Sequence, residues 1–382
     1  MAASRGVRHD SMRARNLAVV LGTIHRSGPH TRAALAELTG LTKTTVSSLV
    51  GDLLEAGVVT ESDAVRAGER GRPGKAVRLS GQRVATLGLE VNIDYLAACV
   101  VDLTRTVRLR RTRPADNRNS DPAVTLGELR DLVKEMTAGA ERAGLRITGA
   151  ALAVPGTVEG DVLRSAPHLG WRDVRVGGLT DLPFAIDNEA NLAALGELWF
   201  GSRAADFLYV SGEIGIGAGL VVGGTVFRGT LGLAGELGHV VVLPDGPACR
   251  CGGRGCLEVY AGQDALLGSL PTVASLVRLL ESGDRRALET CERAGHALGV
   301  ALTSAVHLLD PGRIVLGGIY ATLYRWLEGP VAAGLADRLG LMRGTPPTLL
   351  VSGIGPDAAV LGAAGLVIQR LIADPAEVLD LQ

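Results

Sequence analysis

The chain has 382 residues and a formal net charge of −1, and 47% of its residues are hydrophobic although only 3% are aromatic. At roughly 150 residues per domain this length predicts two or three domains, and a core of Ala, Val and Leu favours an α/β fold. No apolar run reaches the ~18 residues of a membrane span. The opening stretch MAASRGVRHDSMRARN has no apolar signal region, so we expect a cytoplasmic protein without membrane contact.

The charge is distributed unevenly along the chain. Residues 1–80 contain 12 Lys and Arg against 7 Asp and Glu, whereas the remainder contains 27 against 33. A basic head on an acidic body indicates that the head meets an anion such as nucleic acid.

The head shows the pattern of three short helices. The first is predicted over about 12–26 and is broken by Gly28-Pro29. Thr31 can cap a second helix with a core face of Ala34, Leu35 and Leu38, and Thr42 can cap a third. Two short helices joined by a tight turn that contains glycine form a helix-turn-helix.

The third helix presents short hydroxyl side chains and a lysine, which can approach DNA closely. VVTES and AVRLS read as two strands around a basic wing that could enter a minor groove. The alternative is a small protein-interaction domain with a solvated charged loop. The candidate DNA contacts are Arg32, Thr42, Lys43, Thr44, Thr45, Ser47, Ser48, Arg70 and Arg72.

The body contains a weak internal repeat. A shift of 121 residues aligns Leu89 with Val210 and Ala97 with Ala218 across three predicted strands, and helical segments follow each copy. This duplication predicts two similar lobes with a cleft between them, where ligands commonly bind. We expect a winged head over 1–80, a first lobe over 85–195 completed by a helix at 357–372, and a second lobe over 196–356. The tail 373–382 is expected to be frayed.

The segment 236–258 is rich in metal-ligating residues. Its three cysteines and one histidine lie within 18 residues and match a closed, structural zinc site: His239, Cys249, Cys251 and Cys256. The alternative is disulfides or unligated thiols, but disulfides fit poorly with a chain that lacks a signal sequence. Cys99 and Cys291 lie in apolar contexts and are expected to be ordinary buried cysteines.

The stretch IDNEANLAALGE at 186–197 crowds polar groups at the start of a helical pattern, as ligand sites do. Together with the zinc stretch, AVPGTVEG and APHLGW, it resembles the ROK family of repressors and sugar kinases. The resemblance implies an actin-like, ribonuclease-H-like fold of two lobes around a sugar cleft. It also implies that sugar hydroxyls are held by Asn188, Glu189, Glu236, His239 and Glu258. His168 stands where family members often have Asn, so that contact differs.

In kinases of this family, the residue that matches Glu189 is an Asp that serves as the catalytic base. The two phosphate loops also depart from the family pattern, because LEVNIDY (89–95) and EIGIG (213–217) lack expected glycines and hydroxyls. Only Gly317-Gly318 of the nucleotide side is retained. We therefore expect Glu189 to bind a hydroxyl group without catalysis. A catalytic base, or an exposed carboxylate favoured at a helix start by the dipole, remains an alternative.

These features predict a sugar-responsive transcriptional regulator, most simply a repressor, without kinase activity. Its expected partners are double-stranded operator DNA and a sugar effector, and its expected cofactor is structural Zn²⁺. A homodimer or homotetramer is expected, since winged heads usually read two half-sites. An active sugar kinase with a fused regulatory head, or a structural interaction protein, are the two alternatives.

Overall fold

The structure is a computed structural model that describes residues 9–62, 75–201, 204–340 and 343–379. The head is a three-helix domain with a small antiparallel sheet of order β1-β3-β2. Its elements are α1 (His9–Ser27), β1 (His30–Thr31), α2 (Arg32–Thr39), α3 (Lys43–Glu55), β2 (Val59–Ser62) and β3 (Ala76–Leu79).

Side-chain caps fix where the two helices of the helix-turn-helix begin. The Ala34 amide donates to Thr31 Oγ1 at 3.2 Å, and the Thr45 amide donates to Thr42 Oγ1 at 3.1 Å, as the sequence predicts. The buried face of α2 was predicted correctly at Leu35 but wrongly at Leu38, which is 59% exposed, and Ala36 is buried instead. The pattern covers little more than one helical turn there, too short for periodicity to define a face.

The first lobe has a five-stranded sheet of order β11-β7-β4-β5-β6 and a three-stranded sheet of order β10-β9-β8. Strands β4, β5 and β6 are antiparallel neighbours, whereas β7 pairs with β4 and β11 pairs with β7 in parallel. The elements are β4 (Val84–Val91), β5 (Tyr95–Asp102), β6 (Val107–Pro114), α4 (Pro122–Arg142), β7 (Arg146–Val154), β8 (Thr157–Glu159), β9 (Val162–Ala166), β10 (Trp171–Arg175) and β11 (Phe184–Asn188).

The second lobe repeats this plan with a sheet of order β14-β13-β12-β15-β16. Its elements, together with the linking helix α5 and the final helices, are α5 (Glu189–Phe200), β12 (Phe207–Gly212), β13 (Ile216–Val222), β14 (Thr225–Phe227), α6 (Glu258–Ala261), α7 (Gln263–Leu267), α8 (Val273–Glu281), α9 (Arg285–Leu309), β15 (Arg313–Gly318), α10 (Ile319–Leu339), β16 (Thr348–Val351), α11 (Ala358–Ala373) and α12 (Pro375–Leu379).

The two sheets share one topology, which agrees with the predicted repeat, but the offset of 121 residues holds only for the first strand. Leu89 pairs with Ala98, whereas its counterpart Val210 pairs with Ala218. The second hairpin is one residue shorter, so Ala218 matches Ala98 and not Ala97. A single-residue difference in a turn changes every later register.

Helix α11 lies in the middle of the body. The segment Gly355–Ala373 is long and apolar enough to cross a membrane, but 67% of its most apolar window is buried inside the protein, as in a core helix. A Cβ on Gly362 would come within 1.7 Å of the Leu192 carbonyl oxygen, and one on Gly196 within 2.1 Å of the Ala358 oxygen. Helices α5 and α11 therefore cross at backbone contact, which only glycine permits.

The C-terminal segment is not frayed where the structure describes it. Helix α12 places Leu379 in the protein interior, with 6% of its surface exposed. Leu379 belongs to the same hydrophobic cluster as Leu17 and Leu21 of α1 and Leu371 of α11. Because apolar burial favours the docked state, α12 helps to hold the head against the body.

Candidate functional site

The five predicted sugar ligands line one cleft of about 660 Å³ between the lobes. Asn188 and Glu189 lie where β11 meets α5, Glu236 and His239 lie at a 3-10 turn (Leu237–His239), and Glu258 begins α6. The segments AVPG and APHLGW also contribute to the lining, through residues that include Gly156 and His168. The cleft has the size and the mixture of polar and apolar groups typical of a small-molecule site.

Asn188 is largely committed to the local structure. Its Oδ1 accepts from the amides of Ala190 at 2.8 Å and Asn191 at 3.3 Å, and its Nδ2 donates to the Gly156 carbonyl at 2.8 Å. Asn188 is therefore the N-cap of α5 and also fixes the turn after β7. One amide hydrogen is left for a ligand, so Asn188 can offer a ligand fewer hydrogen bonds than the sequence suggested.

Three acidic groups face the cleft. Burial raises the pKa of Glu236, and Glu258 Oε2 accepts from the Ile216 amide at 3.2 Å. Burial together with Glu213 and Glu90 raises the pKa of Glu189 well above its ordinary value. Carboxyl groups placed around a cleft in this way can accept hydrogen bonds from several hydroxyls of one sugar.

His168, which stands where the resemblance leads us to expect Asn, also lines the cleft. Arg250 Nη1 lies 3.4 Å from His168 Nδ1, and since Arg250 can only donate, the other ring nitrogen, Nε2, carries the proton. Burial lowers the pKa of His168, which favours the neutral ring.

The four predicted metal ligands converge beside the cleft. One ligand atom from each of His239, Cys249, Cys251 and Cys256 lies within 4.8 Å of all the others, and this group could hold a metal ion. His239 Nδ1 lies 3.8 Å from Cys249 Sγ, whereas His239 Nε2 lies 3.8 Å from Glu236 Oε2. The imidazole therefore has one nitrogen toward the thiols and one toward the cleft.

Glycines and two short bridges close the metal-ligand loop. Val241 pairs with Cys256 and Ala248 with Arg254, which folds the loop back on itself. Gly255 has φ 67°, and a Cβ there would lie 1.6 Å from the Leu243 carbonyl oxygen. A glycine is therefore required at this position for Cys256 to reach the cluster. Cys99 and Cys291 are buried elsewhere in the core, as expected.

A second, smaller void of about 20 Å³ is also lined by Glu189. Glu90 and Glu213 line it with Glu189, so three carboxyl groups share one small space. Burial, opposed by a hydrogen bond from Tyr95, raises the pKa of Glu90 to about 7, and burial with the charges of Glu90 and Asp94 raises the pKa of Glu213 to about 8. No Lys or Arg is among the described residues that line this space, so it offers no cation to neutralise an added anion.

Side chains cover the two glycines that the resemblance assigns to the nucleotide side, Gly317 and Gly318. A Cβ on Gly317 would lie 1.9 Å from the Tyr209 hydroxyl oxygen, and one on Gly318 would lie 2.6 Å from Glu213 Oε1. These glycines make room for the protein's own side chains. Nearby, Asp94 forms an exposed ion pair with Arg118, whose Nη2 lies 2.7 Å from Asp94 Oδ1.

The predicted DNA-binding face lies on α3. Lys43, Thr44, Ser47 and Ser48 are exposed, while Thr42 and Thr45 bond each other through their hydroxyls at 2.8 Å. Arg32 is engaged within the head, because its Nε and Nη2 donate to Glu61 Oε1 at 3.0 and 2.8 Å. It therefore braces α2 against β2. Arg70 and Arg72 of the predicted wing lie outside the described residues.

Sequence reasoning missed three features of the site and its surroundings. These are the hairpin of β8 and β9, the ion pair between Asp187 and Arg228, and the aromatic contact between His25 and Trp199. The dipeptide Glu159-Gly160 could have indicated the hairpin, since a glycine favours a turn and Gly160 has φ 63° there. The ion pair and the aromatic contact join residues far apart in sequence, and no sequence pattern indicated them.

The fold combines a winged DNA-binding head with a two-lobed body that contains an acid-lined cleft. Comparison with known families identifies the family to which the chain belongs. Residues 86–370 match the ROK family, so the chain belongs to that family, and residues 18–68 match the MarR family of DNA-binding proteins. The family and fold class predicted from the sequence are confirmed.

Relatives of both kinds known in this family match the chain. The xylose repressor of Bacillus subtilis is 29% identical over 370 residues, covering 94% of this chain and 96% of the repressor. A ROK family transcriptional regulator described as a homologue of the Escherichia coli MLC protein superposes with a TM-score of 0.82 at 22% identity, over 97% of this chain and 99% of that one. The ROK hexokinase of Thermus thermophilus gives a TM-score of 0.61 at 30% identity, over 73% of this chain and 97% of that one.

Proposed function

We propose that this protein is a sugar-responsive transcriptional repressor that binds operator DNA through its head and a sugar or sugar derivative in the cleft. The observation that carries the proposal is the presence of a winged head and an acid-lined cleft in one chain that covers 96% of a xylose repressor. A sugar alters operator affinity only if it binds one arrangement of the chain better than the other.

We propose the following contacts for this activity. The sugar is held by Glu189, Glu236, His239 and Glu258, with a lesser part for Asn188. Zinc is held by His239, Cys249, Cys251 and Cys256 and is structural, because four protein ligands leave no open position. With zinc on Nδ1 of His239, Nε2 keeps its proton and can donate to a sugar oxygen.

The head would contact DNA through Thr42, Lys43, Thr44, Thr45, Ser47 and Ser48 on α3 and through Arg70 and Arg72 of the wing. We propose a homodimer or homotetramer in the cytoplasm, with no role for a membrane. The proposed domains remain 1–80 for the head, 85–195 with 357–372 for the first lobe, and 196–356 for the second.

We also propose that the chain is not an enzyme. Glu90, Glu189 and Glu213 line one small space, and Tyr209 fills the space over Gly317; the resemblance to the kinases implies that both lie on the phosphate side. A kinase neutralises phosphates with cations, and none of the described residues that line this space is a Lys or an Arg.

The experiment that tests the repressor proposal is a DNA-shift assay on the chain's own upstream region. Saturable binding that D-xylose, or another member of a panel of sugars and sugar phosphates, shifts by about fivefold or more supports it. Operator affinity that no member of the panel changes overturns it. Glu258→Gln is expected to abolish the sugar response while DNA binding persists, and Glu281→Gln, an exposed carboxylate on α8, is the matched control.

An active sugar kinase is the second candidate function. It is favoured by the similarity to the Thermus thermophilus hexokinase and by the carboxyl group of Glu189 in the cleft. ATP consumption that depends on a hexose, and that Glu189→Asp raises or preserves, would establish this alternative. We expect no turnover above that of a sample without sugar.

A further inference from the structure

Helix α5 begins in the cleft and ends against the DNA-binding head. Asn188 caps its first turn and Glu189 lines the cleft, whereas Trp199, near its other end, stacks on His25 of α1 with ring centroids 5.0 Å apart and an interplanar angle of 28°. The helix has 12 residues, which at 1.5 Å per residue spans roughly 18 Å. One rigid element therefore touches both the proposed sugar site and the head.

The contact at the head end is specific in its geometry. Trp199 is only 8% exposed, and the Arg105 guanidinium lies 5.2 Å from its ring centroid and donates to its carbonyl oxygen at 3.2 Å. Burial, with the charges of Arg105 and Arg26, lowers the pKa of His25 to about 4, so the imidazole that stacks is neutral. Aromatic pairs of this kind prefer particular offsets and angles, so they respond to small displacements.

On the head side, the displacement of α1 reaches the recognition helix. Leu17, Leu21 and Ile24 of α1 are buried in the cluster that also contains Trp199. Arg13 of α1 forms an ion pair with Asp52 of α3. A shift of α1 at His25 would therefore carry α3 with it.

On the body side, α5 cannot bend away from its neighbours. A Cβ on Gly219 would lie 2.5 Å from Ala194 Cβ, so β13 presses on one side of the helix. Gly196 meets α11 at backbone contact on another side. Tightly packed elements of this kind shift as units between discrete arrangements, so a change at Glu189 moves the Trp199 end as well.

We propose that Trp199 and His25 are positioning residues through which the cleft controls the orientation of the head, with α5 as the connecting element. Neither residue belongs to the lining of the cleft or to the predicted DNA-binding face on α3. The inference rests on the proposed repressor function, since it concerns how the two binding events are coupled.

The test separates coupling from binding in the full-length chain. Two variants remove the stacked contact from its two sides: Trp199→Leu and His25→Leu. Trp326→Leu is the matched control, because Trp326 also packs beneath an arginine, Arg325 at 4.2 Å, but on α10 of the second lobe. For each protein, operator affinity is measured with and without D-xylose, or with the first member of the sugar panel that binds, and sugar affinity is measured by calorimetry with and without operator.

We expect the wild-type chain and Trp326→Leu to show the same coupling factor, of the order of 5–150, in both directions of the measurement. Trp199→Leu and His25→Leu should keep sugar affinity within about threefold but bring the coupling factor to about 1. Variants that bind both ligands and keep the wild-type coupling factor overturn the inference alone. A wild-type chain that binds sugar without any change in operator affinity overturns the proposed function itself.

A measurement on the folded wild-type chain covers the case in which Trp199→Leu does not fold. The protein has three tryptophans, so labelling with 5-fluorotryptophan gives three ¹⁹F resonances, assigned with single Phe variants. The Trp199 resonance is expected to shift when D-xylose saturates the cleft, whereas that of Trp326 is not. A Trp199 resonance that stays fixed while the sugar changes operator affinity overturns the inference.

Discussion

Arg228 directly follows strand β14 of the second lobe. It donates through Nε and Nη2 to Oδ2 of Asp187 in the first lobe, at 2.7 Å each. Asp187 Oδ1 in turn accepts from the Asn188 amide at 2.8 Å and from Asn191 Nδ2 at 3.2 Å. The second lobe thus orients the start of α5, where the first lobe meets the cleft. An interlobe ion pair that also sets ligand-binding geometry should affect both stability and sugar affinity.

Arg228→Met is expected to lower the free energy of unfolding by about 2–4 kcal/mol, because it leaves the mostly buried Asp187 carboxylate without its partner. Sugar affinity should fall at the same time. Urea denaturation and calorimetry measure the two effects. The double variant Arg228→Met/Asp187→Asn should recover part of the stability, and its failure to exceed the single variant would contradict this account.

Metal removal is expected to abolish sugar binding because it frees His239, which the cluster and the cleft share. The wild-type chain should contain one zinc ion per chain by mass spectrometry, and Cys256→Ser should lower that content to well below half. Cys291→Ser, a buried thiol outside the cluster, is the control and should keep the metal. Full sugar affinity in the metal-free protein would contradict the shared role of His239.

Glu213→Gln is expected to stabilise the protein at pH 8. The carboxyl has a pKa of about 8 in the folded protein and of 4.5 as its ordinary value, so the folded state holds the proton more tightly. The contribution of Glu213 to the free energy of unfolding is therefore most favourable below about pH 4.5 and is lost progressively as the pH rises toward 8.

The neutral amide removes this contribution, and we expect a gain of about 1–3 kcal/mol at pH 8 and little change at pH 5. Thermal unfolding across that pH range measures it. Glu141→Gln, on the exposed surface of α4, should show no such pattern. An equal effect of Glu213→Gln at pH 5 and pH 8 would argue against a buried, protonated carboxyl.

Lys43→Glu is expected to weaken operator binding about tenfold or more and to reduce the dependence on salt by about one counterion, since a phosphate contact is lost. Lys134→Glu makes the same charge change on the exposed face of α4, away from the head, and should have little effect. Fluorescence anisotropy over a series of salt concentrations provides both quantities. Equal losses in the two variants would mean that only net charge matters.

The features that the sequence predicted well are local. Thr31 and Thr42 indicate where helices begin, because a capping side chain accepts a hydrogen bond from an amide only a few residues away. The cluster of His239 and three cysteines is likewise recognisable, because its ligands lie within one short loop. The repeated sheet was visible because each copy is a continuous hairpin, although one residue in a turn changed its register.

The features that the sequence did not predict depend on long-range contacts. Glu90, Glu189 and Glu213 come from three separate segments, and only the folded chain places them around one void. The same holds for the contact between Trp199 and His25, and for the burial of Leu379 in a segment expected to be frayed. Neither hydrophobic periodicity nor motif spacing predicts which residues far apart in sequence will be in contact.

The docking of α1 beside α12 has a consequence for biosynthesis. Of the described elements, α1 is the first to leave the ribosome and α12 is the last. The head can fold early, because α1, α2 and α3 are neighbours in sequence and local contacts form fast. The orientation of the head, however, is fixed only after Leu379 and the residues around it have been synthesised. A nascent chain would therefore carry a folded head without a fixed orientation, and the head would dock against the body only once α12 has been made.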